Sequence, residues 1–208
     1  MDLERFTGHA FGLNRRRKTM HADFRSKAVT RARGNWYEDF TIGREFIHHW
    51  GRTLNEGDNS LFSTLTLHFN PLYFNKEFAI ENGHPREQLN PMLVFTTVFG
   101  LSVEDLSENG AAFLGVDDLN YHVPVYPGDT LTATSTVQGI RPSSKNPRQG
   151  ICTWHTKGFN QKGDMVIDFN RTNLIMARGN GMIIAGGVAG MRATIGAKLV
   201  VPRWDYSS

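Results

Sequence analysis

A single cysteine, Cys152, stands in the 208 residues, so an intramolecular disulfide framework and a cysteine-built zinc site are both excluded. A reducing compartment suits such a chain, and a cytoplasmic protein is expected. No apolar run reaches the roughly 18 residues that a bilayer-crossing helix needs, and residues 1–14 lack the continuous apolar stretch of a secretory signal. No membrane contact is expected. Charge imbalance is also small: 23 Lys and Arg stand against 20 Asp and Glu. That excess is concentrated, because Arg15, Arg16, Arg17, Lys18, Arg25, Lys27, Arg31 and Arg33 all precede residue 34, which leaves the rest mildly acidic. Such an arm has the composition to meet nucleic acid or an anionic surface. Terminal segments are more often solvated extensions, and no nucleic-acid partner is expected.

What is present points to a globular body. The 39% hydrophobic fraction is ordinary for a packed core, while 21 glycines imply many turns and a strand-rich unit. Composition divides the chain into a basic arm (1–34), a patterned body (35–178) and a Gly/Ala-rich tail (179–208). The tail shows neither strand alternation nor helical spacing.

Within the body, residues 45–54 are rich in β-formers and predict a strand. Asn55 then offers an N-cap, and Asp58 three residues on meets the positive end of the helix it opens. Helical spacing places Leu61, Leu65 and Phe69 on one stripe, and Pro71 predicts a second short helix over 71–80. Residues 91–106 form the most apolar helical segment, with Met92, Leu93, Val94, Phe95, Val98, Phe99, Leu101 and Val103. So apolar a helix belongs in the middle of the fold. Strands are predicted over 111–125, 130–140, 150–160 and 165–176, separated by turn signals at 127–129, 142–147 and 162–164. Short turns imply antiparallel pairing. The expectation is an α+β domain whose one antiparallel sheet wraps its apolar face around the 91–106 helix.

Residues 53–79, TLNEGDNSLFSTLTLHFNPLYFNKEFA, resemble the hydratase motif of the MaoC-like, R-specific enoyl-CoA hydratases, which are hot-dog proteins. GLSVED at 100–105 and VPVYPGDTL at 123–131 are similar to further phrases of that family, particularly of its mesaconyl-CoA and itaconyl-CoA types. The resemblance covers about 34–178. It implies a single hot-dog fold and a lyase that adds water to, or removes it from, the α–β bond of an acyl thioester. The family motif is Asp-x-Asn-Pro-x-His, whose Asp and His hold the water. Asn70 and Pro71 match it, while His68 stands at the Asp position and Tyr73 at the His position.

Hydration needs a group that takes a proton from water and another that delivers one beside the thioester carbonyl. An imidazole, which ordinarily titrates at about 6.5, suits the base, and a phenol, at about 10, suits a donor or orienter, so His68 and Tyr73 are the candidates for these roles. The alternatives are a satisfied half-buried histidine and a core tyrosine. Asn70 either binds the water or braces its turn, and Asp58 is expected to cap a helix rather than catalyse. The resemblance implies that a helix start holds the thioester oxygen, which assigns the Met92 or Leu93 amide, since Pro91 has none; the plainer reading is Asn90 as N-cap and Pro91 at the first helical position.

Arg141, Lys145 and Arg148, in the loop RPSSKNPR, are candidates for the phosphates of coenzyme A or a carrier protein, with a solvated hairpin as the alternative. His48, His49, His122 and His155 lack metal-ligand spacing, so no metal is expected, and no cofactor beyond the coenzyme A or carrier that brings the acyl group. The resemblance also implies a homodimer or higher assembly, because relatives place the substrate tunnel between subunits. Two other functions stay open: a thioesterase or biosynthetic cyclase on the same scaffold, and a non-catalytic subunit that binds acyl chains.

Overall fold

The structure, a computed structural model, describes residues 34–179 and, apart from them, strand residues 29–31 and 199–201. Most of what was expected of the arm and tail lies outside the described residues. Within them, β1 (Val29–Arg31) pairs antiparallel with β8 (Leu199–Val201), Thr30 facing Val200, as a unit of its own.

Asn55 opens α1 (Glu56–Leu65) as its sequence predicts. Its side chain accepts from the Asp58 amide at 3.0 Å, and the Asp58 carboxylate accepts from the Asn55 amide at 3.0 Å, a reciprocal capping box. Asp58 also pairs with Arg52 at 3.0 Å, so its carboxylate is occupied in holding the helix entrance. The stripe of Leu61, Leu65 and Phe69 faces outward, at 61%, 73% and 63% exposure, and the helix buries Asn59 and Ser63 instead. The helix is therefore seated by its polar side.

Where one helix was expected over 71–80, the chain makes a 3₁₀ turn, Pro71–Tyr73, and then α2 (Lys76–Glu81), because Asn75 accepts from the Phe78 amide and starts a second cap. The helix expected over 91–106 divides at Ser102 into α3 (Pro91–Leu101) and α4 (Val103–Leu106). Ser102 turns its hydroxyl back onto the Phe99 carbonyl at 2.7 Å, competing with continuation of the helix.

The strand expected over 45–54 is two: β2 (Glu45–Ile47) and β3 (Arg52–Thr53), both on β5 (Thr130–Pro142). Ile47 faces Thr134 and Arg52 faces Leu131, so five steps on one side match three on the other. The surplus bulges out over 48–51, just after the alternation of β2 has put His48 on the same inward face as Phe46. β6 (Gln149–Phe159) and β7 (Met165–Met176) follow β5 as hairpins, and β4 (Gly110–Tyr121), shorter than the 111–125 expected at its far end, closes the order β2-β5-β6-β7-β4. β4 is an edge strand with three register shifts, and Phe113 and Leu114 on it are exposed.

The sheet curves around α3 as expected. Val94 and Val98 of α3 are buried with Leu131, Ala133, Val166, Ile167 and Phe169 of the strands. Gly158 makes that approach possible: a Cβ there would stand 2.6 Å from Val98 and 2.8 Å from Ile167. Replacement of Gly158 by alanine is expected to cost about 1–3 kcal/mol through overpacking, read as a shifted midpoint in denaturant unfolding with an unchanged slope.

A second cluster, Phe40, Phe46, Leu106, Val137, Cys152, Trp154 and Ile175, fills the other end of the sheet. Between the two clusters the inward positions turn polar, with Ser135 on β5, Thr156 on β6, and Arg171 and Asn173 on β7. Arg171 is 1% exposed and has no acidic partner among the described residues. It donates to Asn173 Oδ1 at 2.9 Å, to Ser102 Oγ at 3.0 Å and to Ser107 Oγ, and its guanidinium lies 3.9 Å from the Phe99 ring centre. Burial lowers its pKa to about 10. No helix among the described residues is long and apolar enough to cross a membrane.

Candidate active site

The segment after α1 is folded back by its own backbone. Leu67 adopts a φ of +55°, uncommon for a leucine, and the His68 amide returns to the Ser63 carbonyl at 2.9 Å. Asn70 caps the 3₁₀ turn, its side chain accepting from the Leu72 amide at 3.1 Å, and the Tyr73 amide donates to the Asn70 carbonyl at 3.0 Å. The Asn70 side-chain oxygen is thereby engaged in bracing the turn. The effect is to bring His68 and Tyr73 together, ring centres 5.2 Å apart, edge to face at 74°. Tyr73 is 8% exposed, whereas His68 is open on the surface of the single chain.

Beneath the pair lies a polar strut that the sequence did not announce. Asn59 donates to the carbonyls of Tyr73 (2.6 Å) and Gln88 (2.8 Å) and accepts from the Asn90 amide (2.8 Å). Asn90, fully buried, accepts from the Met92 amide at 3.0 Å and offers its amide nitrogen to Ser63 Oγ at 3.3 Å and to His68 Nδ1 at 3.1 Å. α1, the Tyr73 turn and the start of α3 are thus tied to one another. Asn59 and Ser63 are four residues apart, and that spacing of small polar side chains on a helix was the available signal.

Both amides assigned to the thioester oxygen are occupied in this arrangement. Met92 donates to the Asn90 side chain, and Leu93 donates to the Asn90 carbonyl at 2.9 Å. The plainer reading of Asn90 and Pro91, as cap and first helical residue, is the observed geometry. Beside Pro91 opens a cleft of about 260 Å³, lined by Gln88, Leu89, Pro91, Val94, Tyr121 and Val125 among others. Tyr121 donates to the Pro91 carbonyl at 2.9 Å; burial, and then the nearby Tyr73, raises the pKa of its phenol. His68 and Tyr73 do not line this cleft. They adjoin it through Asn90 and Pro91 on one side and Tyr121 on the other.

Arg141, Lys145 and Arg148 are not brought to this site. The β5–β6 hairpin that holds them lies where Pro142 faces Gly150, whereas the cleft lies where Tyr121 faces Ile167, at the opposite ends of the same strands. Along β7 the eight residues from Ile167 to Ile175 separate them, about 26 Å at 3.3 Å per residue.

The other histidines weighed as metal ligands, His48, His49, His122 and His155, have structural partners among the described residues. His48 Nδ1 meets Asp105 at 2.7 Å and its Nε2 meets Ser135 Oγ at 2.9 Å, a nucleophile-base-acid connectivity. Ser135, however, is 1% exposed and also bonded to Thr156 at 2.8 Å, so no substrate reaches its hydroxyl. Asp168 is shared by His122 (2.6 Å) and His155 (2.7 Å); burial raises its pKa, but those hydrogen bonds outweigh burial and hold it below the ordinary carboxylate value. His49 lies 3.6 Å from Glu104. Burial pushes the Cys152 thiol up to about 12, which leaves no thiolate nucleophile near neutral pH. Among the described residues no three His, Cys, Asp or Glu side chains are grouped to hold a metal ion.

Comparison with known proteins sets this geometry in a family. The family model for mesaconyl-CoA hydratase matches residues 17–198. Mesaconyl-CoA hydratase of Haloarcula hispanica is 37% identical over 153 residues, covering 73% of this chain and 43% of that protein. A structure described as a MaoC domain protein dehydratase from Chloroflexus aurantiacus superposes with a TM-score of 0.68 at 34% identity, over 76% of this chain and 45% of the other. A Mycobacterium tuberculosis protein with a double hot-dog fold superposes with a TM-score of 0.64 at 24% identity, over 83% of this chain and 53% of that one; it bears on the fold alone. The chain spans about 43% of the length of the curated relative.

Proposed function

Since this chain, a single hot-dog domain, belongs to the mesaconyl-CoA hydratase family, we propose that it is an acyl-thioester hydro-lyase that adds water to, or removes it from, the bond between the α and β carbons. The observation that carries this reading is the convergence of His68 and Tyr73, 5.2 Å apart, at the buried start of α3, with a cleft opening beside Pro91. In hydration the water oxygen bonds to the β carbon and a proton reaches the α carbon, through an enolate whose negative charge rests on the thioester oxygen. A phenol and an imidazole at one helix start have the chemistry for that exchange. Asn70 supports them by fixing the turn between them, and coenzyme A or an acyl carrier protein delivers the acyl group.

The site is half walled in one copy. His68 is exposed, and Leu65, Leu67, Phe69 and Phe74 around it are between 47% and 73% exposed. So much apolar surface beside a cleft fits a second hot-dog lobe. We take that lobe to be another copy of this chain, whose own exposed apolar surface beside the cleft is the face it would offer in return. In such a homodimer, copies set antiparallel would carry Arg141, Lys145 and Arg148 toward the cleft end of the neighbour, where coenzyme A phosphates would need them.

The test is incubation with crotonyl-, mesaconyl- and itaconyl-CoA while following enoyl absorbance and free thiol together. Loss of absorbance with the thioester intact is expected. Thiol release would replace the reading with a thioesterase, and neither signal, with acyl chains still bound, would leave a non-catalytic binding subunit.

A further inference from the structure

We propose that Asn90 is a positioning residue that holds His68 as a neutral imidazole with its proton on Nε2, and that His68 consequently serves as the hydrogen-bond donor to the thioester oxygen rather than as the base its sequence position suggests. This rests on the hydro-lyase reading for its chemistry, but its first half does not.

The orientation of the Asn90 amide is fixed by a group that has no choice. The Met92 N–H can only donate, and it lies 3.0 Å from the near end of the Asn90 side chain, so that end must be the carbonyl oxygen. The NH₂ group then faces the other way, toward Ser63 Oγ at 3.3 Å and His68 Nδ1 at 3.1 Å. An NH₂ group accepts no hydrogen bond, so His68 Nδ1 must be the acceptor and carry no proton. In the neutral ring the proton is then on Nε2. Asn90 is itself held by Asn59, through its backbone amide at 2.8 Å, and is completely buried, so it cannot turn over without setting its NH₂ against the Met92 N–H and leaving that donor unpaired.

The consequence falls on Nε2, which has no hydrogen-bond partner among the described residues, on a side chain that is exposed in the single chain. A base would need a lone pair there, and the ring presents an N–H. A neutral imidazole N–H is a poor source of a whole proton but a good donor to a developing oxyanion. That position is the one left open, because Pro91 has no amide hydrogen and those of Met92 and Leu93 are taken. The protons are then moved by Tyr73. Its hydroxyl takes the proton released by water on a lone pair while its own proton passes to the α carbon, so it is a phenol before and after, and His68 gains and loses none.

Long-range ¹H–¹⁵N correlation of ¹⁵N-histidine protein near neutral pH, with His68→Gln to assign the signal, reads the tautomer directly. An Nε2–H pattern is expected for His68, and Asn90→Asp, which offers two acceptors, is expected to turn it to Nδ1–H. An Nδ1–H pattern in the wild-type protein would overturn the role of Asn90, whatever the activity. Kinetics separate the second half: His68→Gln retains an N–H donor but no titrating base, and is expected to keep at least about 10-fold more kcat than His68→Ala, which should fall by about 10² to 10³. Equal losses in the two variants would overturn the donor role while leaving the hydro-lyase reading intact. A wild-type protein that hydrates no enoyl thioester would instead overturn the reading on which that half rests.

Discussion

Tyr73→Phe is expected to lower kcat for hydration by about 10²- to 10⁴-fold, the range for removing a positioned proton-transfer group, with KM and stability nearly unchanged. The change deletes one oxygen from a side chain that is otherwise held by its ring and backbone. The ring keeps its edge contact with His68 at 5.2 Å, and the Tyr73 amide and carbonyl keep Asn70 and Asn59. The hydroxyl itself bonds no other described side chain and is not among the sealed, unpartnered polar atoms, so its loss should alter unfolding by less than about 0.5 kcal/mol. Steady-state rates on the preferred enoyl-CoA and a denaturant titration of the same preparations check both halves. A variant that loses stability as heavily as rate would return Tyr73 to the role of a core residue.

Arg171→Ala is expected to be the most damaging single change to the fold outside the site, at about 3–5 kcal/mol. The guanidinium is the common partner of Ser102, Ser107 and Asn173 and stacks on Phe99, so alanine would leave polar atoms unpaired and a void where α3 breaks into α4. Arg171→Met should cost clearly less. The thioether chain refills the space above Phe99, the Ser102 hydroxyl already donates to the Phe99 carbonyl, and a buried positive charge with no acidic partner among the described residues is removed. Chemical unfolding of the pair decides it: an alanine variant as stable as the methionine variant would show that the packed stem contributes nothing.

What could be read in advance is what repeats or caps. The four long strands, the N-cap at Asn55 and the apolar helix expected over 91–106, of which 91–101 is one helix, all rest on local signals, namely alternation, Asn with Asp three on, and a dense Val/Leu/Phe run. The failures have one physical source. α1 was assigned an apolar stripe at Leu61, Leu65 and Phe69, yet it buries Asn59 and Ser63, because these tie together three segments that a single pattern of hydrophobicity cannot see at once. The strand over 45–54 divides where its register against β5 slips by two residues, and the partners of buried His48 beside that slip, Asp105 and Ser135, lie 57 and 87 residues away, beyond any local pattern.

The nearness of the candidate pair was legible in the sequence, and its hydrogen bonding was not. Resemblance to the hydratase motif indicated His68 and Tyr73, and the structure brings them into contact. Which of the two nitrogens of His68 is protonated depends on Asn90, 22 residues on, and on the direction in which its amide is held by Met92. Likewise the loop with Arg141, Lys145 and Arg148 looked near in chemistry, while strand pairing alone reveals that it occupies the far end of the sheet.

The central claim, that this chain adds water to an acyl thioester, is tested most directly by the mass of the product formed from mesaconyl-CoA in H₂¹⁸O. An intact coenzyme A thioester heavier than the substrate by one labelled water is the result the account predicts. A free acid with ¹⁸O in its carboxylate, or unaltered mesaconyl-CoA after prolonged incubation with the assembled protein, would contradict it.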